Sequence, residues 1–126
     1  MKSSPPPMPA IDDRDAAVIV DFLQHLQPTQ RSPEASAKVL AFIVTLHLRE
    51  LAWNTWSREA IATHLDVSLP LVDVCLSQRR AQGLITKTIR AVQGKVRRRP
   101  STVSLIFMVP SSELLGVVLG RKFRAA

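Results

Sequence analysis

What this 126-residue sequence lacks bounds it before any motif is considered. There is no tyrosine and aromatics make up only 5 %, so a core drawn from its 46 % hydrophobic residues must be mostly aliphatic. Cys75 is the only cysteine, which excludes an intrachain disulfide and fits a reducing cytoplasm. No run of about 18 or more apolar residues occurs, the length that a membrane-spanning helix needs. The opening "MKSSPPPMPAIDD" has no apolar stretch of the secretory kind. We therefore expect one soluble, cytoplasmic domain. The most informative absence is local. Between Val74 and Ser112 there is no Asp or Glu, yet the interval carries Arg79, Arg80, Lys87, Arg90, Lys95, Arg97, Arg98 and Arg99.

A solvated surface normally mixes signs, so this interval is not an ordinary charged face. The whole chain sums to +7, from 17 Lys and Arg against 10 Asp and Glu. Such a surplus favours a polyanion, nucleic acid before an anionic membrane. Many basic proteins bind neither, so the local run carries more weight than the total.

Residues 1–11 hold Pro5, Pro6, Pro7 and Pro9 and no apolar periodicity, which predicts a disordered or extended arm. Residues 12–120 read as the folded domain, and 121–126 as a basic tail. The first helix is expected from Asp13 to Gln27, with Ala16, Ile19, Leu23 and Leu26 on one stripe and Pro28 ending it. Ser32-Pro33 opens a second, expected to run to about Trp53. Two apolar stripes, Val39-Phe42-Ile43-Leu46 and Leu40-Val44-Leu48-Leu51, make this helix central or shared between subunits. Short helices follow at Ser57–Leu65 and from Ser68 to Gly83. "LITKTIR" and "TVSLIFMV" have strand character and flank "AVQGKVRRRPS", where Gly94 and Pro100 mark a loop. A last short helix is expected after Pro110.

The order helix, tight turn, helix, strand, basic loop, strand is that of a winged helix-turn-helix, a mainly α fold with a small β-hairpin wing. The turn's residues suit it. Ala62 is small enough for two helices to cross at close range. Asp66, four residues on, tolerates the left-handed conformation that a sharp reversal needs. Val67 plugs the gap, Ser68 caps the next helix, and Val72 and Leu76 face inward. Arg79 also falls on the inner side, where we expect it to snorkel from the core's edge.

At this point "WSREAIATHLDVS" followed by "LVDVCLSQRRAQGLI" resembles the winged-helix transcription regulators of bacteria. With its long preceding helices and its wing, the stretch from about Ser32 to Val109 is most similar to the MarR-type group. The resemblance implies double-stranded DNA binding as a homodimer, helix 69–82 in the major groove and wing 91–101 on the backbone or minor groove. It implies dimer contacts from the first, second and last helices, though only sixteen residues follow Pro110, fewer than that group's long C-terminal helix needs.

The expected wing contacts are Lys87, Arg90, Lys95, Arg97, Arg98 and Arg99. Those of the recognition helix are Ser68, Leu71, Asp73, Val74, Ser77, Gln78 and Arg80. Ser77 and Gln78 can hydrogen-bond base edges, and Leu71 and Val74 can meet thymine methyls. Asp73 repels phosphate but can accept from a cytosine amino group. The same apolar pair suits a protein partner instead, which would make the fold an interaction module. Plasmid or phage replication or partition is a further DNA role open to such a fold.

Other signals read as structural. His47 and Glu50 lie one helical turn apart, a metal-binding spacing, but no second His or Cys cluster joins them. Cys75 reads as a buried thiol rather than a redox sensor. Gly94-Lys95 lacks the surrounding phosphate-loop pattern. Trp53 and Trp56 are expected to wedge the second helix against the motif. We expect no enzyme, cofactor or metal.

Overall fold

The computed structural model describes residues 7–26, 33–96 and 99–124, with side chains for all of these but 94–96, 99–101 and 121–124. The chain is mainly helical with one antiparallel hairpin. The order is α1 (Asp13–Leu26), α2 (Pro33–Leu48), a 3-10 turn (Trp53–Thr55), α3 (Arg58–Leu65), α4 (Leu69–Ala81), β1 (Ile85–Val96), β2 (Arg99–Pro110) and α5 (Ser112–Arg124). No single helix among the described residues is long and apolar enough to cross a membrane.

The core forms around α2. Val39, Leu40, Ala41, Phe42, Ile43 and Val44 are consecutive and all buried. A helix advances about 100° per residue, so six buried neighbours mean that every side is covered. α1, α4 and β2 supply the cover. Phe42 holds the aromatic centre. Trp53 and Trp56 meet it edge-on at centroid distances of 5.9 and 6.0 Å, and the His64 ring lies at 5.8 Å. Both tryptophans and His64 of α3 thus meet α2 at Phe42.

Three helices end in the same device. α2 stops at Leu48, five residues short of the expected Trp53. Glu50 turns left-handed (φ 55°), its N–H donates to the His47 carbonyl, and the Leu51 N–H reaches back to Leu46 at 2.9 Å. Asp66 (φ 56°) ends α3 with bonds to Thr63 and, through Val67, to Ala62. Gly83 (φ 76°) ends α4 with bonds to Arg80 and, through Leu84, to Arg79. In each case the residue after the left-handed one is apolar and packs on the core: Leu51, Val67, Leu84. Asp66 and Gly83 are types that the left-handed region tolerates. Glu50 is not, which is why its helix end was not legible.

Ser57, Ser68 and Ser111 cap the following helices, each hydroxyl accepting from the backbone N–H three residues on. Between α3 and α4 the chain bends by 97°.

The hairpin is longer than expected. β1 and β2 pair without a break from Ile85↔Pro110 to Val96↔Arg99, so most of the expected loop 91–101 is strand. Pro100 is tolerated because each strand of a two-stranded ribbon keeps one free edge, where a missing N–H breaks no ladder. Arg97 and Arg98 lie outside the described residues. α5 likewise continues to Arg124, into the expected basic tail 121–126. The described part of the arm is held. Pro9 is buried, its carbonyl lies 3.0 Å from His64 Nε2, and Met8 and Ile11 pack on the core.

Ala62 is buried at 5 % exposure on the third turn-forming helix. Ala62→Leu inserts three carbons at this tight bend, and the expected cost is about 1–3 kcal/mol. An Ala62→Leu protein with unchanged thermal midpoint would show that the helices do not meet there.

Candidate nucleic-acid interface

α4 divides into two faces. Val72, Cys75 and Arg79 are buried, while Pro70, Val74, Ser77, Gln78, Arg80 and Ala81 are exposed. Val74 is 52 % exposed, and Leu71 beside it is half-buried. Ser68 is already engaged as the cap of α4, accepting from Leu71 N–H at 3.3 Å. The outward face therefore offers two hydroxyl and amide groups, two aliphatic groups and one cation.

Asp73, an expected contact, and Arg79, expected at the core's edge, both have partners inside the chain. Asp73 forms an ion pair with Arg58, the first residue of α3. Arg79 does not snorkel. It is fully buried, donating to Gln82 Oε1 at 2.6 Å and to Ser36 Oγ at 3.3 Å, and its Nε has no hydrogen-bond partner among the described residues. Inner-side placement one turn before Gly83, against the first turn of α2, leaves the side chain no route to water. Burial pushes the neighbouring Cys75 thiol up from its ordinary range, against the smaller opposing pulls of Ser36 and the Arg79 guanidinium. A thiol held protonated in the core is inert.

The hairpin splits the basic residues. Lys87 and Arg90 are three apart on β1, so they leave opposite faces of the ribbon. Lys87 shares an open recess of about 500 Å³ with Thr86, Ile85 and the α4 residues Ser77, Arg80 and Ala81. Arg90 lies over the Phe107 ring, 4.6 Å from its centroid, and lines a different recess with His47, Leu48 and Glu50. The side chains of Lys95 and Arg99, and Arg97 and Arg98 altogether, lie outside the described residues.

A residue that sequence reading did not single out aligns these parts. Asn54, in the turn between the two tryptophans, uses its side-chain amide as a short strand. Its Nδ2 donates to the Ser104 carbonyl and its Oδ1 accepts the Ile106 N–H, both at 2.9 Å. These are the two bonds that a neighbouring strand would make to the outer edge of β2. They tie the hairpin to the segment that opens α3. Nothing local to Asn54 announces partners 50 and 52 residues away.

No protein-family model, curated protein or solved structure matches this chain.

Asn54→Ala removes both tethers. The expected result is a loss of about 1–2 kcal/mol, near the usual net value of two hydrogen bonds. Amide exchange at Ile106 should accelerate while the amides of α2 keep their protection. Unchanged exchange at Ile106 would show that the hairpin is positioned by packing alone.

Proposed function

We propose that this chain is a winged helix-turn-helix protein that binds double-stranded DNA and regulates transcription, acting as a homodimer. The observation that carries this reading is the recess joining Ser77 and Arg80 of α4 to Lys87 of β1. It makes the exposed face of α4 and the base of the hairpin one continuous surface. Asp73 is the only carboxylate in the chain from Val67 to Ser112, and Arg58 compensates it. A phosphate backbone can lie along such a surface without meeting an uncompensated negative charge.

The parts then take distinct roles. α4 enters the major groove, where Ser77 and Gln78 offer hydrogen bonds and Leu71 and Val74 offer methyl contacts. Arg80 and Lys87 hold the flanking phosphates. The ribbon of twelve-residue strands spans about 40 Å along its length. Its end, with Lys95 and Arg97 to Arg99, is long enough to follow the backbone to the next minor groove. Two copies would read half-sites about 34–36 Å apart. A second reading, a protein-interaction module, draws on the exposed Val74 and half-buried Leu71.

Titration of random duplex over a salt series tests the first reading. With roughly six phosphate contacts the slope of log affinity against log salt is expected to be about −5. Replacing Arg97, Arg98 and Arg99 together with Ala should weaken binding to all duplexes and flatten the slope. Arg80→Ala and Lys87→Ala should each flatten it by about one, whereas Arg90→Ala, on the other face, should leave it unchanged. Absence of binding at about 50 mM salt would overturn the DNA reading.

Specificity is expected to follow α4 instead. Gln78→Ala or Leu71→Ala should narrow the gap between selected and random duplex by about 1–3 kcal/mol. Under the interaction-module reading, Leu71→Ala and Val74→Ala would abolish capture of a partner protein and leave DNA affinity as it was.

A further inference from the structure

The Arg58–Asp73 pair has a property that a simple brace does not need. Both side chains stay accessible, at 55 % and 44 % of their full exposure. An ion pair so open to water is held weakly and exchanges partners readily. Its members come from different helices, fifteen residues apart, so each projects from its own backbone toward the same edge of α4. Asp73 is one helical turn from both Pro70 and Ser77, which are exposed on the outward face. Arg58 opens α3, at the flank where the backbone of a bound duplex would run.

We infer that Arg58 and Asp73 form a specificity-determining pair in which Asp73 withholds the Arg58 guanidinium from phosphate until the carboxylate finds a donor on a base. The inference rests on the DNA reading proposed above. A carboxylate accepts hydrogen bonds and cannot donate them. Among major-groove edges only the amino groups of cytosine and adenine can satisfy it. Where such a group stands opposite Asp73, the carboxylate transfers to the base and the guanidinium transfers to a phosphate, so one base contact brings one backbone contact with it. Where guanine O6 or thymine O4 stands there, the carboxylate gains nothing by leaving Arg58, and the phosphate contact is not made. The pair itself stays near zero net charge on random DNA, which holds down non-specific affinity in a protein with a +7 surplus.

Competition titrations on random duplex and on duplex selected from a random pool by the wild-type protein test this. Each variant is first checked for its circular-dichroism spectrum and thermal midpoint. Asp73→Asn frees Arg58 without changing shape. It should tighten binding to random duplex about threefold to tenfold at about 50 mM salt and steepen the salt slope by about one. The gain should vanish in the Arg58→Gln/Asp73→Asn double variant, because it acts through the guanidinium. The same double variant, which leaves no uncompensated carboxylate, should flatten the slope by about one on selected duplex while matching the wild type on random duplex. The inference is overturned if Asp73→Asn leaves random-duplex affinity unchanged or lower, or if its gain survives in the double variant. Equal losses of the double variant on both duplexes would also overturn it, by making Arg58 an unconditional phosphate contact. A wild-type protein that binds no duplex removes the DNA reading itself and this inference with it. A wild type that binds with the expected slope while the variants fail these expectations removes the inference alone.

Discussion

The fold depends on one constraint: the middle of α2 has no side to present to water. Six consecutive buried residues, Val39 to Val44, oblige the chain to surround this helix, and the other elements are arranged by that requirement. α1 covers one side, α4 another and β2 a third. The short chain between α2 and α3 covers what remains by bringing Trp53 and Trp56 onto Phe42. With only 5 % aromatics, the sequence concentrates much of its aromatic surface at this junction. α2 must therefore end at Glu50 rather than continue, since a straight helix would carry Trp53 away from Phe42. A glutamate in left-handed conformation is the local cost of that ending, of order 1 kcal/mol.

Once α2 is enclosed, α4 is positioned through contacts that reach into it. Arg79 meets Ser36 in the first turn of α2, and Cys75 lies beside the same residue. A leucine at position 79 would bury more cheaply, because a guanidinium with an orphan Nε surrenders hydration that two hydrogen bonds only partly replace. What the arginine adds is direction. Its bonds can be made at one rotation and one height of α4 against α2, and those fix which residues α4 turns outward. Val74, Ser77, Gln78 and Arg80 are exposed as a consequence of how Val72, Cys75 and Arg79 are seated.

The distribution of charge follows from the same geometry. An interval rich in arginine and lysine looks uniform in sequence. Folding sorts it three ways. Arg79 enters the core, Arg90 lies over Phe107 on one face of the ribbon, and Arg80 and Lys87 share the surface next to α4. The period of two along a strand makes the last division unavoidable for residues three apart. The proposed DNA surface is consequently smaller than the basic run suggests, and the Arg58–Asp73 pair at its edge becomes more important to its net charge.

The sequence by itself determined the elements whose causes lie within a few residues. Apolar spacing located α1 and α2, serines located the starts of α3 and α4, Pro110 located that of α5, and Asp66 and Gly83 located two helix ends. Runs of β-branched and large apolar residues located both strands. Tertiary structure decided whatever depends on how those elements dock. The full length of the ribbon came from cross-strand pairing, which overrode the loop markers Gly94 and Pro100. The Asn54 tether joins residues 50 and 52 apart, the Arg79–Ser36 bond joins residues 43 apart, and the Arg58–Asp73 pair crosses from α3 to α4. Each bond depends on the relative placement of two elements, angle included, to within a few tenths of an ångström at the bonding atoms. Side-chain type and spacing along one segment carry no information about that angle, because it is set by the summed packing of every surface that covers α2.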